Sequence, residues 1–259
     1  MSQTRIIQAA LNGDLTKISH SAVPVSTDEL VRDAIACVAA GARAVHLHPR
    51  DSEGREQLEA GVVDEVVTEV REACGVPVGV TTGEWIEPDL ENRLKLVRAW
   101  RAPDYTSVNL SEPGALEVMT ALLETGIGIE AGVWTIEDVE RLARAGLGER
   151  VTRILVEPGE AQVGDSTSAA IILVEDIHRA LDRFELAAPR LQHGDGKVAW
   201  VILEDAIRRG LDTRIGLEDT IHEPNGELTS GNEALVYSAQ NLAAGISAAQ
   251  SIESSSESW

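Results

Sequence analysis

Ala44-Val45-His46-Leu47-His48-Pro49-Arg50-Asp51 carries the pattern from which the fold can be read. An aliphatic run of strand length breaks off into a cluster of polar side chains, and a proline ends it. Residues two apart on a strand face the same way. His46 and His48 therefore point together, and Leu47 points to the opposite side. The same layout recurs on either side of this stretch, each time followed by a longer run with helical spacing.

Upstream, Ile6 to Leu11 reads as the first strand and ends in Asn12, Gly13 and Asp14. The helix between it and the histidine strand spans Thr27 to Ala40. Ser26 is its N-cap and Glu29 completes a capping box. Downstream, the helix Gly61–Cys74 leads to a strand over 76–82, and the helix Leu90–Trp100 to a strand over 105–110. The helix Ala115–Glu124 precedes a strand over 128–133. Thr135 caps the next helix, which stops near Ala145 with Gly146 as terminator. Strands over 153–157, 190–193 and 213–218 follow, with helices over 168–183, 199–209 and 233–244. Eight strand–helix units in unbroken order predict parallel strands with right-handed crossovers. They close most naturally into an α/β fold of the (β/α)8 TIM-barrel type, a single domain over residues 1–249. A doubly wound sheet would carry a glycine-rich turn after its first strand, and Asn12-Gly13-Asp14 is not one. The polar stretch 250–259, QSIESSSESW, is expected to be a disordered tail.

The composition agrees with this architecture. At 259 residues the chain has the length of one such barrel. Aromatic residues make up only 3%, so the core must be aliphatic, as suits a barrel filled with branched side chains. The net charge of −21 repels phosphate backbones and anionic lipid, which argues against nucleic-acid and membrane partners. An anionic substrate would need local positive charge inside the site. Cys37 and Cys74 lie in apolar helical stretches and read as reduced packing residues. With no apolar leader segment, a cytoplasmic location is expected.

Chemistry in such a barrel sits where strands end and loops begin. The paired imidazoles of His46 and His48 supply two nitrogen ligands to one metal ion; hydrogen bonds to loop backbone are the other use of such a pair. A catalytic zinc needs a third protein ligand and an open position. Glu218, on the last strand and so near strands one and two in a closed barrel, is the candidate; helix capping or a salt bridge is its alternative role. Arg214 shares the face of Glu218, lies deeper, and needs a carboxylate partner. Asp219 is the natural one, and the pair is either a base whose orientation the cation sets or a purely structural ion pair. Thr81, Thr82 and Gly83 offer hydroxyls and a turn to a small oxyanion, or simply end a strand. Trp85, Trp134 and Trp200 either wall a pocket or pack. His193 falls near the metal, His20 in a loop that can approach the site, and His178 and His222 read as surface residues.

These motifs resemble the β-keto acid cleavage enzyme family. The carriers are AALNG (9–13), VHLHPRD (45–51), TTG (81–83), SVNL (107–110), RIGLEDT (214–220) and the pair Gly231-Asn232. The resemblance covers Ala9 to about Ala244. It implies a zinc-dependent barrel, a homotetramer, that condenses a β-keto acid with acetyl-CoA to give acetoacetate and a new acyl-CoA. It assigns the metal to His46, His48 and Glu218; Mn, Fe or Co also suit such a donor set. It assigns Arg214 and Asp219 to catalysis, and substrate contacts to Thr81, with Thr82 beside it, and to Asp14; Gly83, Glu84 and Asn109, at the same strand ends, are expected to join them. Glu84 departs from the small or apolar residue expected there. With Asp14 and Glu130 it suggests selection of a substrate bearing an amine. A metal-dependent barrel lyase or hydrolase that uses no CoA, and a non-catalytic metal-binding barrel, are the alternatives.

Overall fold

The structure, a computed structural model, describes residues 5–256. Eight parallel strands close into a barrel in sequential order: β1 (Ile7–Ala10), β2 (Ala44–Leu47), β3 (Val78–Thr81), β4 (Tyr105–Asn109), β5 (Gly128–Val133), β6 (Arg153–Val156), β7 (Arg190–Gln192) and β8 (Asp212–Ile215). The predicted (β/α)8 barrel is thus the observed fold. Strand β1 sits between β2 and β8, with Ala10 opposite His46 and Gln8 opposite both Ala44 and Arg214.

The helices among the described residues are α1 (Thr27–Ala39), α2 (Ala60–Cys74), α3 (Leu90–Ala99), α4 (Ala115–Thr125), α5 (Ile136–Ala145), α6 (Glu160–Val163), α7 (Thr167–Arg183), α8 (Ala199–Arg209) and α9 (Asn232–Ser256). Ser26 caps α1 and Thr135 caps α5, each completing a capping box, and the left-handed Gly146 ends α5. The single-turn α6 has no counterpart among the elements expected from the sequence. Helix α9 continues to Ser256, into the segment that reads from the sequence as a tail; the end of that segment, 257–259, lies outside the described residues. No helix among the described residues is long and apolar enough to cross a membrane.

The aliphatic core is not where composition alone would put it. Val45, Leu47, Val78, Val80, Ile129, Ala131, Ile154 and Val156 belong to the core cluster packed between strands and helices. The barrel interior carries polar groups instead. Gln8 donates to the Tyr105 hydroxyl at 3.0 Å and to Glu130 at 2.9 Å. Arg153 pairs with Glu130 at 3.1 Å. Gly79 makes this possible, because a Cβ there would lie 1.9 Å from the Tyr105 ring. The closed polar floor formed this way supports the open end of the barrel above it.

Candidate active site

His46 ends the inward face of β2, and His48 follows one residue beyond the strand. Glu218 comes from the turn after β8 rather than from the strand itself. That turn is closed by bonds from the Asp219 and Thr220 amides to the Gly216 carbonyl, both 2.9 Å. The two imidazole Nε2 atoms each lie 3.7 Å from Glu218 Oε1. One donor atom from each of the three residues falls within 4.8 Å of the others. Ligands bound at 2.0–2.2 Å around a tetrahedral centre stand about 3.4 Å apart, close to the two 3.7 Å imidazole–carboxylate distances.

The protonation states suit a cation. Burial drives the His46 imidazole down to about 3, against the pull of Glu218, so the ring is neutral. Glu56 accepts from His48 Nδ1 at 2.6 Å. This fixes the tautomer with its proton on Nδ1 and leaves Nε2 as a free electron pair facing Glu218. The other Glu56 oxygen accepts from Trp85 Nε1 at 3.1 Å, and the Trp85 ring stacks on His48 at 6.1 Å. Burial would raise the Glu218 carboxyl, but the Arg214 guanidinium beside it outweighs burial and holds the group below the ordinary carboxylate range. Glu218 Oε2 is buried without a hydrogen-bond partner. The neutral His46 ring, the His48 Nε2 that faces it across Glu218, and an ionised carboxylate with a spare buried oxygen fit a divalent metal, as a catalytic donor set with room for substrate.

Beside this cluster, Arg214 donates through Nη2 to Asp219 Oδ1 at 2.7 Å and through Nε to the same oxygen at 3.1 Å. The same Nη2 reaches Glu218 Oε1 at 2.7 Å. Burial opposes the guanidinium charge, yet the two carboxylates hold its proton more tightly than usual. Burial raises the Asp219 carboxyl, and the opposing pull of Arg214 does not fully offset it. One arginine thus braces a depressed carboxylate and an elevated one, side by side.

These groups line a cavity of about 300 Å³ together with Asp14, Thr81 and Asn109. Thr82, Gly83 and Glu84 do not line it. The Thr82 hydroxyl donates outward to the Ser107 carbonyl at 2.7 Å. Gly83 provides room for the Trp85 ring, and the Glu84 amide is fastened to Glu112 at 2.9 Å. Glu130 lies in the closed floor below, so it and Glu84 are not gathered with Asp14 at the mouth. Trp85 and Trp134 wall the cavity. Trp200 instead donates to the His222 carbonyl at 2.8 Å, and His20 ties its loop to the Thr229 carbonyl at 3.0 Å. The surface reading of His178 is corrected. Its ring faces inward from α7 onto Gln192 Oε1 at 2.7 Å and is buried.

Two carboxylates of the site, Glu56 and Glu157, are not marked as functional by the sequence. Glu157 accepts from Trp134 Nε1 at 2.9 Å and contacts His193 Nε2 at 2.9 Å, and His193 Nδ1 lies 3.7 Å from Asp219. A carboxylate at the end of the sixth strand is the available signal for Glu157. Glu56 follows a bend with no periodic pattern, so nothing points to it.

The chain matches the beta-keto acid cleavage enzyme family over residues 5–251. It is 25% identical over 260 residues to a 3-keto-5-aminohexanoate cleavage enzyme of Fusobacterium nucleatum subsp. nucleatum, covering 94% of this chain and 92% of that protein. A namesake from Acetoanaerobium sticklandii is 33% identical over 93 residues, covering 32% of this chain and 34% of the relative. Among solved structures, ObcA in a ternary complex with a C4-CoA adduct and oxalate superposes with a TM-score of 0.68 at 17% identity, over 86% of this chain and 64% of ObcA. Dihydropteroate synthase of Yersinia pestis superposes with a TM-score of 0.60 at 16% identity, over 97% and 96% of the two chains. The last two likenesses concern the barrel alone. Profile match and full-length relative agree, and the chain belongs to the beta-keto acid cleavage enzyme family.

Proposed function

We propose that this protein condenses a β-keto acid with acetyl-CoA, releasing acetoacetate and a new acyl-CoA, and that it does so with zinc held by His46, His48 and Glu218. The carrying observation is the convergence of two imidazoles and a carboxylate beside a buried Arg214–Asp219 pair, inside one cavity. The charge count of the pocket supports a dication. Apart from the exposed Asp14 and Asp195, Glu157, Glu218 and Asp219 face a single guanidinium there, leaving a formal excess of two negative charges. When bound, the metal supplies a Lewis acid for the keto oxygen and carboxylate of the substrate.

The chain's own groups perform the rest. Asp219 is the base for the carbon-bound proton between the two carbonyls. Its elevated carboxyl accepts a proton more readily than an ordinary aspartate, and Arg214 fixes its direction. Trp85 and Trp134 narrow the mouth and limit water around the reacting carbon. Thr81 and Asn109 present polar atoms to the substrate, and Asp14 stands at the exposed rim. The test is a panel of β-keto acids incubated with and without acetyl-CoA, reading acetoacetate and acyl-CoA. Cleavage that proceeds equally without CoA would replace this reading by a lyase or hydrolase. An inert protein that still binds metal would replace it by a binding barrel.

A further inference from the structure

Two asparagines that the catalytic reading leaves unused join the metal cluster to one strand. Strand β1 ends at Ala10, and its last backbone bond to the histidine strand runs from the Leu11 amide to the His46 carbonyl at 2.9 Å. Past that point a side chain continues the ladder. Asn12 Oδ1 accepts from the His48 amide at 2.8 Å, and Asn12 Nδ2 donates to the His48 carbonyl at 2.9 Å. On the other side of β1, Asn232 Oδ1 accepts from the Leu217 amide at 2.6 Å, and Asn232 Nδ2 donates to the Leu11 carbonyl at 2.8 Å. Leu217 immediately precedes Glu218. Both asparagines are fully buried. Asp33 of α1 accepts a further bond from Asn232 Nδ2 at 2.6 Å, which sets the orientation of that amide.

We propose that Asn12 and Asn232 are positioning residues for the metal: they carry the β1–β2 and β1–β8 registers beyond the ends of the strands and so index His48 and Glu218 to a common reference. The inference rests on the metal-binding reading above. Neither side chain belongs to the donor set. They act by holding two ligand-bearing turns past the ends of the strands, where the backbone itself adds only the 3.3 Å bond from the Glu218 amide to the Ala10 carbonyl of β1. Backbone peptides gripped at both donor and acceptor have little freedom to drift. A metal site loses affinity when its supporting bonds are removed, by about 10- to 100-fold.

The experiment measures Zn²⁺ and Co²⁺ affinity of the purified protein by competition with a chromophoric chelator, and the absorption of the Co²⁺ form. The variants are Asn12→Ala, Asn232→Ala and Asp33→Asn. Thr106→Val is the control, because it deletes another buried side-chain-to-backbone bond, 2.8 Å to the Val80 carbonyl, that joins β4 to β3 and touches neither the β1–β2 nor the β1–β8 seam. Both alanine variants are expected to raise the dissociation constant about 10- to 100-fold and to alter the Co²⁺ bands. Asp33→Asn should give a smaller loss in the same direction, and Thr106→Val none. If the alanine variants do not fold, Asp33→Asn against Thr106→Val decides the matter. A parent that binds metal while all the variants match it overturns the brace alone. A parent indistinguishable from His48→Ala in metal uptake overturns the brace together with the metal reading.

Discussion

Replacing Gly13 by alanine should weaken metal binding through a contact whose size the structure gives. Gly13 has φ +52, and a Cβ built on it lies 2.6 Å from Cγ of Glu218 and 3.1 Å from its Cβ. Carbon atoms settle about 3.5 Å apart, so the glutamate must retreat by roughly 0.9 Å. Metal sites tolerate departures of only about 0.2 Å from ideal ligand distances, and Arg214 would at the same time lose its 2.7 Å bond to Glu218. The expected effect is a fall in Zn²⁺ affinity of at least about 10-fold. The left-handed backbone adds about 1–2 kcal/mol of general destabilisation. Gly75 separates the two effects. It has φ +71, and a Cβ added there meets nothing within 4 Å, so Gly75→Ala carries the backbone cost without the clash. Thermal unfolding of the metal-free proteins and chelator competition should show both variants destabilised and only Gly13→Ala impaired in metal uptake. Equal metal affinity in the two would refute the placement of Glu218.

Asp219→Asn should lower kcat/KM by about 10²- to 10⁴-fold while leaving metal affinity near the parent value; parallel loss of both would assign Asp219 a structural role. Glu56→Gln weakens the grip on His48 Nδ1, and should reduce Zn²⁺ affinity and shift the fluorescence of Trp85, which shares that carboxylate. Stability of the metal-free protein should depend on pH through His46. The unfolded chain takes up a proton near the ordinary value of 6.5, whereas the folded ring resists until about 3. Between those values the unfolded state binds more protons, so this group makes stability fall as pH falls. Asp33 works the other way. Burial raises it from 3.8 to about 6, so the folded state binds the extra proton and its contribution declines as pH rises through that window. Denaturant titrations across pH 4 to 6.5 should therefore show a flatter acid limb in His46→Gln and a steeper one in Asp33→Asn than in the parent. Unchanged slopes in both would contradict the assigned burial effects.

Much of this architecture is written in short-range patterns. Ser26 with Glu29, and Thr135 with Asp138, announce helix starts through reciprocal bonds between near neighbours, and the structure contains both. The paired histidines require only strand alternation. Glu218 requires one more step, that the eighth strand returns to the first. The pattern does not reveal contacts made by groups in unrelated loops. Glu56 reaches His48 from a bend, and Asn232 reaches Leu217 and Leu11 from the start of α9. His178 departs from its surface reading because a histidine on a helix carries no local mark of facing Gln192.

What the sequence leaves open along each strand is parity, and the structure resolves it with a physical rule. Strands of a parallel barrel are buried on both faces, so hydrophobicity alone does not tell the inside from the outside. The aliphatic side chains of β2 and β3, Val45, Leu47, Val78 and Val80, pack against helices, which leaves the alternate positions inside. His46, Gly79, Thr81, Tyr105, Ser107, Glu130 and Arg153 then follow as a connected inward set, since His46 pairs with Gly79, Gly79 with Tyr105, Thr81 with Ser107, Ser107 with Glu130, and Glu130 with Arg153. Position along the strand sorts that set further. Its lower members, Tyr105, Glu130 and Arg153, are joined through Gln8 and the Glu130–Arg153 pair and close the floor, while His46, Thr81 and Ser107 open on the cavity. Thr82 has the opposite parity and spends its hydroxyl on the neighbouring strand. A shift of one residue therefore separates a side chain that can touch substrate from one that cannot, and a strand-end motif such as Thr81-Thr82-Gly83 should be read one residue at a time.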